Sequence, residues 1–138
     1  MYSMVYVSSA TKPMAKDELV ELLGVAAERN SPKGITGLLL YKDGNFMQML
    51  EGDEQAVTAL YRQIVLDPRH RGAIVLLKGE SDAREFPDWS MGFRDLKSAE
   101  LESHPGFSEF LNTPLTAREF EAHPGRAKTL LRMFKEKM

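Results

Sequence analysis

Residues 34–52, GITGLLLYKDGNFMQMLEG, decide how this chain folds. A first apolar run ends at the pair Asp43-Gly44, and a second apolar run follows it. Two short apolar runs around a Gly-containing turn are typical of a β-hairpin. Gln48 is the polar residue inside the second run. Because a buried amide left unpaired costs about 1–3 kcal/mol, the sequence predicts a specific partner for Gln48.

The second strand of this hairpin is apolar on both faces apart from Gln48. Side chains alternate between the faces of a strand, so Gln48 shares a face with Phe46 and Leu50. Met47 and Met49 point to the other face. A strand that is apolar on both faces requires cover on both sides of its sheet.

Composition restricts the class of protein. The 138 residues suffice for one compact domain with a core. A formal net charge of -2 gives no basic field for binding nucleic acid. The absence of cysteine excludes disulfides, thiolate zinc sites and a cysteine nucleophile, and the scattered histidines show no metal-ligand spacing. No apolar run approaches the roughly 18 residues needed to cross a bilayer, and the N-terminus lacks the basic region of a signal peptide. We therefore expect a cytoplasmic protein without a metal or a membrane partner.

The remaining periodicities predict an α+β fold of the ferredoxin-like type. Around the hairpin, the pattern predicts strands at 2–9, 73–78 and 89–94 and helices at 15–29 and 53–66. The resulting order, βαββαββ, is a ferredoxin-like βαββαβ unit with one added strand and two helices on one face. Asn30, directly after the first helix, has the position of a C-cap. Residues 69–72, RHRG, form a predicted basic turn, either a solvated loop or a contact for a polar ligand.

The composition changes after residue 96. Proline–glycine pairs divide residues 97–138 into short helical pieces, and the last of them, 124–137, has an amphipathic pattern. We expect domain 1–96 to be followed by a helical extension, 97–138. The extension is too short for a second domain, and would cover the Met47 and Met49 face or mediate an interaction.

Several motifs, in order, resemble the BLUF family of blue-light sensors that use flavin. The resemblance covers residues 2 to 95. It includes Tyr6-Val-Ser8, Ala27-Glu-Arg-Asn30, Gly34-Ile-Thr-Gly-Leu-Leu-Leu-Tyr41, Gly44-Asn-Phe-Met-Gln48, Leu50-Glu-Gly52, Asp67-Pro-Arg-His70 and Phe86-Pro-Asp-Trp-Ser-Met91. Ala15 departs from the pattern, because a serine-like helix cap is common near that position. Any one motif is weak evidence, whereas the ordered set is specific.

The resemblance implies a flavin held between the two helices, with FAD as the usual form and FMN or riboflavin as substitutes. The implied flavin-binding residues are Tyr6, Ser8, Arg29, Asn30, Gln48, Asp67, Arg69 and His70. Asn30 would bond the ring edge, and Gln48 would lie between that edge and the Tyr6 hydroxyl. An amide carries both a donor and an acceptor, so turning or tautomerising it reverses a hydrogen-bond pattern without moving the backbone.

The implied function is that of a photoreceptor rather than an enzyme. Tyr6 would supply an electron and a proton transiently, and Gln48 would rearrange. Trp89 or Met91, on a strand that neighbours the glutamine in relatives, would relay the change. The output would pass to the tail or to a separate effector protein, with the receptor as a homodimer or higher homo-oligomer.

Two other functions remain open from the residues alone. One is a small hydrolase with Arg69 as the anion binder and His70 as the acid or base, because neighbouring arginines disfavour the cationic form of His70. The other is a non-photoactive interaction module on the same fold, because a fold does not fix a function.

Overall fold

A five-stranded sheet with two helices makes up the described part of the chain. The computed structural model describes residues 1–12, 14–42, 44–87 and 92–95. In chain order the elements are β1 (Tyr2–Ala10), α1 (Lys16–Asn30), a 3-10 turn (Ser31–Lys33), β2 (Thr36–Lys42), β3 (Asn45–Gly52), α2 (Glu54–Leu66), β4 (His70–Glu80) and β5 (Gly92–Asp95). The sheet order is β4-β1-β3-β2-β5. The predicted βαββαββ order and α+β class are confirmed.

The hairpin of β2 and β3 lies at the centre of the sheet, as the sequence predicts. β3 pairs antiparallel with both neighbours, and Gln48 lies opposite Tyr6 of β1 and Leu39 of β2. Gly37 permits the close approach of the two hairpin strands, because a Cβ there would lie 1.8 Å from the carbonyl oxygen of Met49. The hairpin thus places Gln48 in the middle of the sheet.

Both helices cover the same face of the sheet, but over separate clusters of apolar side chains. The cluster beneath α2 contains Tyr2, Met4, Tyr6, Ile35, Leu50, Val57, Leu60 and Ile64. The cluster that includes Leu19 of α1 contains Ala10, Leu39, Tyr41 and Phe46 as well. The clusters share no member, and the side chain of Gln48 belongs to neither. The sheet face between the two helices is therefore where a cleft can form.

The opposite face of the sheet is equally buried. Val7, Leu38, Leu40 and Met47 are fully buried there, and Met49 is 1% exposed. The predicted division of β3 into a Gln48 face and a methionine face is therefore confirmed. The predicted extension at 97–138 lies outside the described residues.

The predicted basic turn is wrong for most of its length, because β4 begins at His70 rather than at residue 73. His70 and Arg71 pair with Ala10 and Ser9 of β1. The sequence suggested a turn because a basic cluster that ends in Gly72 precedes the apolar run, which begins at residue 73. Gly72 instead has a φ of 62° within the strand, beside an irregular register, which is how a glycine accommodates a β-bulge.

The two ends of α1 differ from ordinary helix ends. The Ala15 side chain caps nothing, as expected, while the Glu18 carboxylate accepts a hydrogen bond from the Ala15 backbone N–H at 3.3 Å. Asn30 is not the left-handed C-cap that its position indicated: its φ and ψ are -79° and -35°. Gly34, after the 3-10 turn, adopts the left-handed conformation. Asn30 itself is fully buried.

The last described strand, β5, runs parallel to β2 at the edge of the sheet. Phe93 is aligned with Leu39, and Leu39 with Gln48. The expectation that this strand neighbours the glutamine is therefore wrong for its described part, because β2 already occupies that side of β3. Trp89 and Met91 lie outside the described residues.

Candidate functional site

The Tyr6 hydroxyl donates a short hydrogen bond to the Oε1 atom of Gln48. The two residues lie directly opposite each other on β1 and β3, and both side chains point to the helix-covered face. Tyr6 is 1% exposed and Gln48 6% exposed. This bond supplies a partner for the amide that the sequence singled out, and it engages the carbonyl oxygen of that amide.

The surroundings of Tyr6 keep its phenol protonated. Burial is the largest cause that raises the pKa of Tyr6 far above its usual range, and the nearby Tyr61 adds to it. The positive charge of Arg29 opposes this shift. The Tyr6 and Tyr61 rings meet edge to face with their centroids 5.2 Å apart, an arrangement that favours aromatic pairs. Tyr6 is therefore a neutral hydrogen-bond donor held in a fixed orientation.

A cleft between the two helices opens onto this pair. Its walls are apolar side chains of α1, β2 and α2: Leu22, Leu23, Ala26, Leu39 and Ile64. Its polar lining consists of Tyr6, Arg29, Gln48, Asp67, Arg69 and His70. An apolar cleft with a few convergent polar groups is the usual form of a small-molecule site.

Asp67 and Arg69 form an ion pair at the end of the cleft where α2 leads into β4. The Arg69 Nη2 atom lies 2.6 Å from the Asp67 Oδ2 atom, and the Arg69 backbone N–H donates to the same carboxylate at 2.9 Å. The hydrogen bond from the Arg69 side chain is the largest cause that lowers the pKa of Asp67 to about 2. Asp67 is thus an anion, and its charge holds Arg69 in place.

His70 is neutral and occupies the base of this end of the cleft. Burial is the largest cause that lowers the pKa of His70; the charge of Asp67 opposes this shift, and the charge of Arg69 adds to it. The sequence predicted this direction but assigned it to like charge alone. The His70 Nδ1 atom lies 3.1 Å from the Ser8 Oγ atom, and its ring centroid is 4.9 Å from that of Phe46. Ser8 therefore orients His70 rather than lining the cleft.

Arg29 and Asn30 stand together at the C-terminal end of α1. The Nε atom of Arg29 is buried and has no hydrogen-bond partner among the residues that the structure describes. A buried charged donor of this kind is costly unless something accepts from it. Asn30 is buried beside it, although it is not among the cleft-lining residues.

The sequence identified the polar residues of the cleft but not its apolar walls. Leu22, Leu23 and Ala26 recur at helical spacing along α1, which is the pattern of a core-facing stripe. Apolar periodicity places a residue on the inner face of a helix, yet a wall that faces a ligand has the same pattern as one that faces a core. We find no signal in the sequence that separates the two.

The chain matches a family model and several known proteins. Residues 1–92 match the BLUF model, described as sensors of blue light using FAD. The chain is 37% identical over 90 residues to the photoactivated adenylate cyclase subunit beta of Euglena longa, a match that covers 64% of this chain and 10% of that protein. It is 38% identical over 86 residues to the blue light- and temperature-regulated antirepressor BluF of Escherichia coli K12, covering 62% of this chain and 21% of that protein.

Among solved structures, the dark state of the BLUF protein BlrB superposes with a TM-score of 0.71 and 33% identity. That match covers 92% of this chain and 93% of the other. The chain spans only about a tenth of the length of the first curated relative. What these relatives share with it is the sensor domain.

Proposed function

Because the chain belongs to the BLUF family, a family of blue-light sensors that bind FAD, we propose that Tyr6 and Gln48 are its light switch and that the cleft between α1 and α2 holds the flavin. The observation that carries this proposal is the buried hydrogen bond from Tyr6 to Gln48 at the base of an apolar cleft. A tyrosine and an amide aligned across two central strands are held far more precisely than residues on loops.

The residues of the cleft fit a flavin. Apolar walls from both helices suit a planar ring system. The buried Nε of Arg29 offers a donor to carbonyl or ribityl oxygens, and Asn30 would bond the ring edge. At the other end, Arg69 and His70 would contact the sugar-like side of the ligand, Asp67 would orient Arg69, and Ser8 would orient His70. FAD is the family ligand, and FMN or riboflavin would present the same ring.

Each member of the switch pair has a distinct role. When bound and excited by blue light, a flavin is a strong electron acceptor. Tyr6 would supply an electron to the flavin, and its phenolic proton would pass along the hydrogen bond to Gln48, because proton transfer requires a partner within hydrogen-bond reach. Gln48 would then turn or change tautomer. After the electron and the proton had returned to Tyr6, the amide would present a different donor and acceptor pattern to the cleft.

The finer features of the signalling chain also remain proposals. BLUF domains are sensors and are not themselves catalytic, and we propose that this chain likewise has no enzymatic activity. We propose Trp89 or Met91 as the relay, a separate effector protein as the partner, and a homodimer or higher homo-oligomer as the receptor. The cytoplasmic location expected from the sequence stays a prediction. None of the helices in the described ranges is long and apolar enough to cross a membrane.

The test is the light response of the Tyr6→Phe variant. The native protein, purified or reconstituted with FAD, should be yellow, and blue light should shift its absorption to the red reversibly in darkness. Tyr6→Phe should bind FAD and lose the shift completely, because its ring carries no transferable proton. Tyr2→Phe, in the same strand and cluster, is the matched control and should keep the shift. A normal shift in Tyr6→Phe would contradict the assignment.

A further inference from the structure

The side chain of Glu51 fastens the segment Arg84–Phe86 to the end of β3. Glu51 is fully buried, and its carboxylate accepts hydrogen bonds from two consecutive backbone amides. Oε2 accepts from the Glu85 N–H at 2.5 Å, and Oε1 accepts from the Phe86 N–H at 2.8 Å. Both oxygens are therefore engaged, and bonds to an ionised acceptor are among the stronger hydrogen bonds in proteins.

Arg84 ties the same segment to the hairpin from the other direction. Its guanidinium donates to the Thr36 Oγ1 at 2.8 Å, to the Glu51 carbonyl at 3.2 Å and to the Gly34 carbonyl at 2.7 Å. These acceptors lie at the start of β2, at the end of β3 and in the turn before β2. The Phe86 side chain is 1% exposed. The segment is thus held by two charged side chains and one buried ring.

Holding the segment Arg84–Phe86 in place would not by itself require a buried carboxylate. Backbone N–H groups are satisfied equally well by backbone carbonyls, without the cost of taking a charge out of water. Desolvation is the main cause that raises the pKa of Glu51. Burial of the Glu51 carboxylate, where β3 meets this segment, therefore has an energetic cost that backbone acceptors would avoid.

The position of the contact relates it to the switch. Gln48 and Glu51 belong to the same strand, and both pair with β1 and β2 in one uninterrupted register of β3. The amide hydrogens that Glu51 binds are fixed to the backbone of the segment, so the segment must follow any displacement of this end of β3. Residues 88–91, directly downstream, contain the proposed relay residues Trp89 and Met91.

We propose that Glu51 is a positioning residue that couples β3 to the segment Arg84–Phe86, so that a rearrangement at Gln48 alters how this segment is held. The inference rests on the proposed function of Gln48. It adds a route for the signal that does not require direct contact between Gln48 and the relay residues. Arg84 supports the coupling by holding the segment against the hairpin.

The experiment measures hydrogen exchange at the Glu85 and Phe86 amides, in darkness and under blue light, in the full chain loaded with FAD. In darkness, Glu51→Gln should raise exchange at both amides by about tenfold or more, because a glutamine offers one acceptor and turns a donor towards the second N–H. Arg84→Met should raise the exchange at these amides as well, and this variant provides the same test if Glu51→Gln folds poorly. Glu28→Gln, an exposed glutamate of α1, is the matched control and should leave it unchanged.

Illumination distinguishes a positioning role of Glu51 from a purely structural one. In the native protein, illumination should change exchange at these two amides, and in Glu51→Gln this change should be lost while the absorption shift keeps its size. Unchanged exchange on illumination of a native protein that does shift would overturn the proposal. So would loss of the absorption shift in Glu51→Gln, since Glu51 would then act on the switch itself. A native protein with no absorption shift would instead refute the proposed function. Hydrogen exchange in darkness would still test whether Glu51 holds the Glu85 and Phe86 amides.

Discussion

Two buried hydrogen-bonded groups lie on β3, and they differ in what they can do. Tyr6 and Gln48 are neutral side chains bonded to each other. Glu51, on the opposite face of the strand, is an acid whose carboxylate accepts from two backbone amides. The first bond can be redrawn by turning one amide while the backbone stays in place. The second can change only if a length of chain moves, because its donors belong to the backbone.

This difference separates a switch from a coupling. A side-chain amide carries both a donor and an acceptor, so the pair can adopt two hydrogen-bond patterns, which suits detection of a photochemical event. A carboxylate with both oxygens engaged has one strongly preferred arrangement, which suits transmission of a displacement. The strand that carries both groups would pass a change from one to the other within a few residues.

Of the substitutions in these two groups, Gln48→Leu should have the largest effect on the light response. Leucine has a side chain of similar size, but it can neither accept a hydrogen bond from Tyr6 nor exchange donor and acceptor. The variant should lose the native red shift entirely. The free energy of unfolding should also fall by about 1–3 kcal/mol, because the Tyr6 hydroxyl would be buried without its acceptor.

Blue-light difference spectra and urea unfolding measure these two effects. Met49→Leu, on the opposite face of the same strand, is the matched control, because a swap of similar volume usually costs less than about 1.5 kcal/mol. It should retain the full shift. A red shift of native size and kinetics in Gln48→Leu would show that the amide is not the switch.

Acidification should increase the contribution of Glu51 to the stability of the fold. Because burial raises its pKa above the ordinary 4.5, the folded state binds this proton more tightly than the unfolded state. The contribution of Glu51 to the free energy of unfolding should therefore increase as the pH falls through the raised pKa towards 4.5. The hydrogen bonds from the Glu85 and Phe86 amides and the charge of Arg84 oppose this rise in the pKa, while the charge of Glu85 adds to it.

The measurement is thermal unfolding of the native protein and Glu51→Gln over this pH range. The glutamine does not titrate, so the difference in Tm between the two proteins should widen in favour of the native protein on acidification. A difference that stays constant or narrows would contradict a raised pKa. Glu28→Gln again controls for the loss of one surface charge.

Asp67→Asn should have the smallest effect. The Asp67 carboxylate has a lowered pKa of about 2 against an ordinary 3.8, so its stabilisation is fully present above the ordinary value and is lost as the pH falls through about 2. The pair is partly exposed to solvent. The variant should lose about 0.2–1 kcal/mol at neutral pH, the range of surface ion pairs.

Denaturant unfolding at neutral and strongly acidic pH checks this prediction, with Asp17→Asn, an exposed aspartate of α1, as the control. The native protein and Asp67→Asn should converge in stability at the acidic end. A loss that persists undiminished there would mean that the Asp67 side chain contributes through packing rather than through its charge. The red shift should survive in this variant, because Asp67 orients Arg69 and does not touch the switch pair.

The sequence predicted the fold well wherever side-chain periodicity and turn chemistry agree. The hairpin, the two helices and the faces of β3 follow from alternation and from the pair Asp43-Gly44. The start of β4 was missed because Gly72 inside a strand has the same local signature as Gly72 in a turn. The neighbour of β5 was also missed, because pairing between distant strands depends on which edge of the sheet is vacant.

The site was predictable to a different extent. Gln48 stood out because an amide within an apolar strand is costly unless paired, whereas Tyr6 was identified through the family motif Tyr6-Val-Ser8. The link between them and a flavin came from family resemblance. The coupling through Glu51 could not be predicted, because an acid at the end of a strand is usually exposed. Only the packed chain shows that Glu85 and Phe86 return to it.

Gly37 has a consequence for how such domains diverge. Its missing side chain lets β2 and β3 approach, a demand made by strand spacing and independent of the ligand. A descendant that no longer responds to light would be released from keeping Gln48 but would still be held to glycine at position 37. Among related sequences, the glycine would therefore mark inheritance of the fold, and the glutamine would mark retention of light sensing.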